Sequence, residues 1–486
     1  MAYDRTALAD LARQAMEERG FLTDFSQKAL AEAERVDGAV ALKPAMRDLR
    51  DLLWCSIDND ETRDLDQLTV ADRLPDGTIR VRVAIADVSS FVFPDSEIER
   101  HARHNTTTVY TAGGTFPMIP ERLSTGLTSL HQGEDRLSMV VEMCVEEDGA
   151  IRSSDLYRAL VRNQAKLTYR GIGAWLDNAG PLPARAAEVQ GLPDLLRLQE
   201  EAARRLRRRR HERGALRLER ADMRLVFNDS GTVAGLRLER TNRAKELIED
   251  FMVAANETTA RFLEARGLPS LRRVVEAPHR WPRIVDVARQ FGETLPPEPD
   301  SLALATFLDR RREADPEGFG ELSLTITKLL GSGEYVVDLP EREAPGHFGL
   351  AVEDYTHATA PNRRYPDLIT QRLLKAALDG RSNGNLYSPE ELEEIAKHCT
   401  ERENEAQKVE RQVRKSAAAL LLVDHIGETF EAIVTGASEK GTWVRLLTLP
   451  VEGRLERGCE GLDVGDRVRV RLAAIDVERG FIDFEC

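Results

Sequence analysis

Strand-forming and helix-forming stretches run in separate blocks along this chain, and that segregation limits the folds open to it. After Pro44 the segments LLWCSID, QLTVADRL and IRVRVAIADV are rich in β-formers, with Pro75-Asp76-Gly77 marking a tight turn between the last two. From about Tyr157 to Glu264 helical spacing dominates, broken by the loop from Gly180 to Pro193, and it returns from Tyr365 to Val423. The tail reverts to short strands, FEAIVTGAS, GTWVRLL, VRVRLAAIDV and GFIDFEC, separated by Gly-Asp and Arg-Gly turns. Blocks instead of βαβ alternation predict an α+β fold: a large mixed unit with a central sheet surrounded by helices, then a small five-stranded barrel over 427–486.

Ahead of the first strands, Leu8, Leu11, Ala12 and Ala15 recur at helical spacing, Gly20 breaks the pattern, and a second helical run follows Asp24. This predicts a helical module over 1–45, preceding the mixed unit over 46–425. A helix-turn-helix reader and a packing cap both fit such a pair, the cap being the commoner use. A formal net charge of -15 excludes a protein that coats nucleic acid nonspecifically, so any such contact must be local. The arginine-dense stretch from Arg204 to Arg220 reads most simply as a solvated helix face. Five cysteines without a C-x-x-C pair fit a reduced, cytoplasmic setting. The amino terminus lacks the apolar core of a secretory signal and Ala417 to Val423 is too short to span a bilayer, which predicts a soluble protein with no membrane partner.

The most informative segment is Ser56-Ile57-Asp58-Asn59-Asp60-Glu61-Thr62-Arg63-Asp64-Leu65-Asp66-Gln67, at the end of one apolar strand and the start of the next. On an extended strand Asp64 and Asp66 would project from one face, with Asp58 approaching from the preceding strand. Oxygen ligands without His or Cys suit Mg²⁺, with Mn²⁺ the alternative. Two such ions, roughly 3.5–4 Å apart, can activate a water and stabilise the leaving oxygen of a phosphodiester. An acidic solvated loop is the commoner fate of such a cluster. A second constellation, Tyr355-Thr356-His357-Ala358-Thr359-Ala360-Pro361-Asn362-Arg363-Arg364-Tyr365-Pro366-Asp367-Leu368, sets tandem arginines at a helix entry, where they can grip a phosphate or pair with Asp367 or Glu353.

Together with VAIADVSSFV, TVYTAGGTFPMIPERLS and KLTYRGIGAWL, in this order, SIDNDETRDLDQL and YTHATAPNRRYPDLITQRLLK closely resemble the ribonuclease II/R family from about Arg47 to Val423. The tail, especially Gly441-Thr442-Trp443-Val444 and Gly465-Asp466-Arg467-Val468, resembles the ribosomal-protein type of RNA-binding OB barrel. The resemblance implies that Asp58, Asp64 and Asp66 are metal-binding, with Asp66 also catalytic, and that Arg363 contacts the reacting phosphate. It places Glu410 near the active centre, Tyr110 on the terminal nucleotide and Tyr169 on RNA positioning. Arg364 and Tyr365 belong to the same signature. In the barrel, Phe430 and Trp443 are candidates for base stacking or for filling the core.

The sequence departs from the family at Gln67, where a fourth aspartate is usual, so Gln67 is a neutral ligand at best. Leu218 stands where ribonuclease II has a base-stacking aromatic, and Ala358 and Asn362 replace bulkier apolar residues. Larger members carry two cold-shock barrels ahead of the catalytic domain, where this chain has about forty-five residues of helical pattern. The implied activity is Mg²⁺-dependent, processive 3′→5′ hydrolysis of single-stranded RNA with a free 3′ end, releasing nucleoside 5′-monophosphates, by a monomer. A catalytically weakened RNA-binding protein that keeps the channel is the alternative that Gln67 raises, and a nuclease preferring DNA is a third.

Overall fold

A computed structural model describes residues 5–38, 41–219, 222–227, 233–239, 241–340, 345–380, 386–438, 441–449, 451–458, 460–463 and 465–486. The chain opens with helices α1 (Arg5–Glu18) and α2 (Gln27–Arg35), the second capped by Ser26, whose side chain accepts from the Ala29 N–H at 3.1 Å. The sheet then begins with β1 (Arg47–Asp48), β2 (Cys55–Asp58), β3 (Gln67–Arg73) and β4 (Ile79–Ala86). The Pro75-Asp76-Gly77 turn joins β3 to β4 as expected, with Gly77 at φ 85°, where a side chain would be strained. Helix α3 (Glu97–Asn105) and a small hairpin, β5 (Val109–Thr111) and β6 (Gly114–Phe116), interrupt the sheet. It resumes with β7 (Asp135–Val145), β8 (Ile151–Arg162) and β9 (Ala165–Thr168), giving seven strands in the order β1-β8-β7-β4-β3-β2-β9.

Helices α4 (Tyr169–Leu176), α5 (Ala184–Ala187) and α6 (Leu192–Glu212) follow, then the hairpin β10 (Asp222–Phe227) and β11 (Val233–Glu239), then α7 (Arg243–Glu264). A block of helical spacing over Tyr157 to Glu264 therefore holds four strands or strand ends as well. Residues 157–162 continue β8 because they pair with β7 across the sheet, a long-range partner that local spacing cannot reveal. Strand β12 (Ser270–Val274) precedes three helices, α8 (Trp281–Gln290), α9 (Ser301–Ala314) and α10 (Phe319–Leu330), which bury Trp281, Phe307 and Phe319 in an apolar cluster of their own. The chain returns through β13 (Glu334–Asp338), α11 (Tyr365–Leu378) and the long α12 (Pro389–Leu422), which starts at a capping box formed by Ser388 and Glu391.

The tail is β14 (Thr429–Ser438), β15 (Gly441–Leu446), β16 (Glu452–Arg457), β17 (Arg467–Asp476) and β18 (Phe481–Glu485), closed in the order β14-β15-β16-β18-β17. The α+β reading and the five-stranded barrel both hold. Ala418, Ala419 and Leu422 at the end of α12 share the barrel's core, so the barrel is seated on that helix through apolar contact. Ala29 and Ala33 of α2 belong to the main core, while Ala12, Ala15 and Met16 of α1 pack with Val409 and Val413 of α12. Among the described residues, no helix is long and apolar enough to cross a membrane.

Candidate active site

The acidic segment lies between β2 and β3, at the end of the sheet where both strands are flanked by buried neighbours. Asp58 is the last residue of β2, but β3 begins only at Gln67. Asp64 and Asp66 therefore stand in the connecting segment and not on a strand face, a correction to the spacing argument. What fixes them is tertiary: Leu65 N–H donates to the Ser129 hydroxyl at 3.0 Å and the Leu65 carbonyl accepts from Leu130 N–H at 3.0 Å. Asp66, with 2% of its surface exposed, accepts from the Asn362 N–H at 3.2 Å and from Arg363 Nε at 3.3 Å. Burial and the neighbouring Asp64 outweigh Arg363 and push its carboxyl up to about 7.

Asp58 accepts from the Asn59 N–H at 2.7 Å and from the Thr62 hydroxyl at 2.8 Å, and burial raises its carboxyl too, with Asp64 adding to the rise and Arg363 opposing it. Asp64 accepts from the Tyr110 hydroxyl at 2.8 Å. Asp64 thus acts electrostatically on both Asp58 and Asp66, which places the three carboxylates in one patch. They do not close on one another: among the described residues no group of three or more His, Cys, Asp or Glu is drawn together as a ready metal cage. An all-oxygen set of partly buried carboxylates with an incomplete shell nevertheless suits Mg²⁺, which keeps several positions for water and substrate phosphate. Gln67 opens β3 beside Asp66. Asp87, just past the end of β4, is paired with Lys375 and both Ser89 and Ser90.

The tandem arginines part company. Arg363 keeps 43% of its side chain exposed while reaching Asp66. Arg364 turns inward to Asp367, with Nη2 at 2.8 Å from a carboxylate that is wholly buried. Arg364 is therefore removed from the phosphate-gripping pair, because Asp367 at the start of α11 claims it. Tyr365 is 1% exposed and its hydroxyl donates to buried Glu99, which Arg372 also contacts, so its ring has no face for a base. Leu218 packs against the Trp281 cluster of α8–α10, away from the carboxylates. Phe430 is half-buried and packs against the barrel core.

Tyr110 is brought to the site: the residue is 44% exposed on β5 and its hydroxyl donates to Asp64. Its backbone N–H supports Glu410 of α12, whose carboxyl is raised by burial. Tyr169 opens α4 close enough to Asp58 and Arg363 for both charges to act on its phenol. The same phenol feels Glu249 of α7, an exposed carboxylate that sequence spacing had not singled out. A cleft of about 980 Å³ opens between α8, α10, α12 and the barrel. Arg280, Arg311, Arg411, Arg414 and Lys415 line it together with Trp443, so a strongly basic concavity lies beside the helix that carries Glu410. Arg411, Arg414 and Lys415 follow Glu410 along α12, whereas Arg280 and Arg311 converge from separate elements, which no local motif could signal.

Residues 46–380 match the model of the RNB domain, and residues 428–486 that of the RNase II-type exonuclease C-terminal S1 domain. The chain is 30% identical to Ribonuclease R of Thermotoga maritima, an alignment covering 95% of this chain and 68% of that one. It is 32% identical to Ribonuclease R of Escherichia coli, covering 90% of this chain and 57% of the relative. Among solved structures, Mycoplasma genitalium RNase R in complex with ribose methylated single-stranded RNA superposes with a TM-score of 0.87 at 23% identity, over 98% of this chain and 77% of that one.

Proposed function

This chain belongs to the RNB family of ribonuclease II-type exoribonucleases, and from that premise we propose that it hydrolyses single-stranded RNA processively from a free 3′ end in a Mg²⁺-dependent reaction. The observation that carries the reading is Asp66: a buried carboxyl raised to about 7, beside Asp64 and Asp58 and opposite the half-exposed Arg363. Such a group is costly to ionise unless a cation joins it. Asp58, Asp64 and Asp66 would hold Mg²⁺, with Gln67 as a neutral neighbour. Bound there, a metal pair supplies an activated water and charge neutralisation at the leaving oxygen.

The protein's own residues do the rest. Arg363, still paired to Asp66, presents its remaining N–H groups to a non-bridging phosphate oxygen and so holds the scissile group against the carboxylates. Tyr110 offers a ring for the terminal base, worth roughly 1–3 kcal/mol without a sequence preference, and Tyr169 stands within electrostatic reach of Asp58 and Arg363. Glu410 fixes the Tyr110 backbone. Hydrolysis adds water across the P–O3′ bond, leaving a nucleoside 5′-monophosphate and a 3′-hydroxyl on the shortened chain. The basic cleft with Trp443 offers a path for the incoming strand, which reconciles RNA binding with a net charge of -15. Residues 46–425 form the catalytic unit in this reading, and the protein works as a cytoplasmic monomer.

A time course on a 5′-labelled RNA with a single-stranded 3′ tail, beside a blunt duplex, tests the proposal. Stepwise shortening of the tailed strand with Mg²⁺ and none with a chelator is expected. RNA retained without shortening would indicate a binding protein, and a ladder of internal cuts an endonuclease.

A further inference from the structure

The short segment 106–116 bonds to the arginine loop, to Asp64 and to Glu410. At its entry Thr106 adopts φ 60°, a conformation costly for a β-branched residue and tolerated where the surroundings impose it. The Thr106 carbonyl accepts from Tyr365 N–H at 2.8 Å and Thr108 N–H donates to the Arg363 carbonyl at 2.9 Å, so the segment is bonded to the arginine loop. Val109 is fully buried in the cluster that joins α1 to α12, Tyr110 reaches Glu410 through its N–H and Asp64 through its hydroxyl, and Gly113 makes the turn of the hairpin.

Gly113 lies directly on the main chain of α1. A Cβ placed there would fall 2.1 Å from the Leu8 carbonyl oxygen and 2.5 Å from its carbon, and helix backbone cannot swing aside as a flexible side chain does. Helix α1 is itself held from behind: Leu11 packs on the barrel cluster, and Arg19, just past its end, pairs with Glu405 of α12 at 3.0 Å. The hairpin therefore has a fixed floor, and its distance from that floor is set by the absence of a side chain at one position.

We infer that Gly113 is a positioning residue for the reaction, through which α1 sets where the ring and hydroxyl of Tyr110 stand relative to Asp64. This rests on the reading of Tyr110 as a contact of the terminal nucleotide. A displacement of about 1 Å at such a contact can cost up to about a hundredfold in rate.

The test is a double-mutant cycle on Mg²⁺-dependent cleavage of a 5′-labelled single-stranded oligoribonucleotide, with kcat and KM measured for the unsubstituted chain, Gly113→Ala, Tyr110→Ala and the pair. Gly113→Ala is expected to lower kcat/KM by about tenfold or more, and the same change in the Tyr110→Ala background by less than about twofold, since neighbours that act as one unit are not additive. Equal losses in both backgrounds would make Gly113 a merely structural residue and overturn the inference. An active Gly113→Ala beside a damaged Tyr110→Ala would overturn it alone, whereas a wild-type rate for Tyr110→Ala would overturn both it and the reading of Tyr110. If Gly113→Ala melts below the assay temperature, Arg19→Ala, which loosens α1 from α12, is expected to show the same non-additivity with Tyr110→Ala at about two- to threefold. Additive or absent effects there overturn it equally.

Discussion

Helix α6 and the acidic segment between β2 and β3 are both densely charged, and the structure treats them in opposite ways. Along α6 five of the seven arginines find an anion: Arg207 bonds Asp250 at 2.8 Å and Glu246 at 2.6 Å, Arg210 bonds Asp250, Arg204 bonds Glu200, Arg205 bonds Glu201 and Arg209 bonds Asp148, while Arg208 donates to the Glu147 carbonyl and Arg197 lies over the Trp175 ring. Asp250, only 2% exposed, is consumed in holding the helix to α7. At the acidic segment Asp58 and Asp66 both feel the guanidinium of Arg363, and both are nevertheless pushed up by burial and by the neighbouring Asp64. Density of charge alone does not mark a site. Charge that the fold gathers and leaves unmatched does.

The contrast can be broken most sharply at Arg363. Its replacement by Ala is expected to lower single-turnover cleavage by about 10²–10³-fold, the scale for removing one group aimed at developing charge, with little change in melting temperature. A variant within a few-fold of wild type would mean that Arg363 serves only to offset Asp66. Arg207→Ala should do the reverse: leaving buried Asp250 to Arg210 alone costs about 2 kcal/mol in urea unfolding while turnover by the folded enzyme is unchanged. Lost turnover at full stability would put α6 in the RNA path after all.

A buried group with no charged partner sharpens the same rule. His101 stacks on Phe25 at 4.1 Å and meets Asn105 at 3.2 Å, and burial holds its imidazole down to about 4 against an ordinary 6.5. The unfolded chain therefore binds the extra proton between these values. Stability is complete above pH 6.5 and falls as pH drops toward 4, by up to about 3 kcal/mol. His101→Gln should flatten that part of the melting profile, and an unchanged profile would assign the acid lability elsewhere. The smallest effect concerns the link from Tyr110 to Asp64: Tyr110→Phe keeps the ring and loses one hydrogen bond, which predicts a loss of about fivefold in kcat/KM, or about 1 kcal/mol. A loss as large as that of Tyr110→Ala would mean the hydroxyl matters more than the stacking face.

Much of this was legible in the sequence because it is local. The β3–β4 turn announces itself through Pro75-Asp76-Gly77, the barrel through its run of short strands, and Asp58, Asp64 and Asp66 through their crowding into one segment. The failures are long-range. Nothing in YRALVR says that it pairs with β7 over Arg136–Val161 and its neighbours, so helical spacing prevailed there. Arg363 and Arg364 look equivalent until Asp367 is seen to take one of them, and Tyr365 looks available until Glu99 takes its hydroxyl. Leu218 was placed by analogy with an aromatic, but the apolar cluster of α8–α10 absorbs it. The close approach of Gly113 to Leu8 joins residues more than a hundred positions apart, and glycine in a hairpin turn has an ordinary explanation that hides it.

Cleavage and binding by Asp66→Asn, measured on the same 5′-labelled single-stranded RNA with Mg²⁺, address the central point most directly. The account predicts a loss greater than about 100-fold in shortening, beyond what disturbing a ligand's supporting shell alone produces, with the RNA still retained in a gel shift. Shortening at the wild-type rate would contradict it, because the buried, unmatched carboxylate would then have no part in the chemistry.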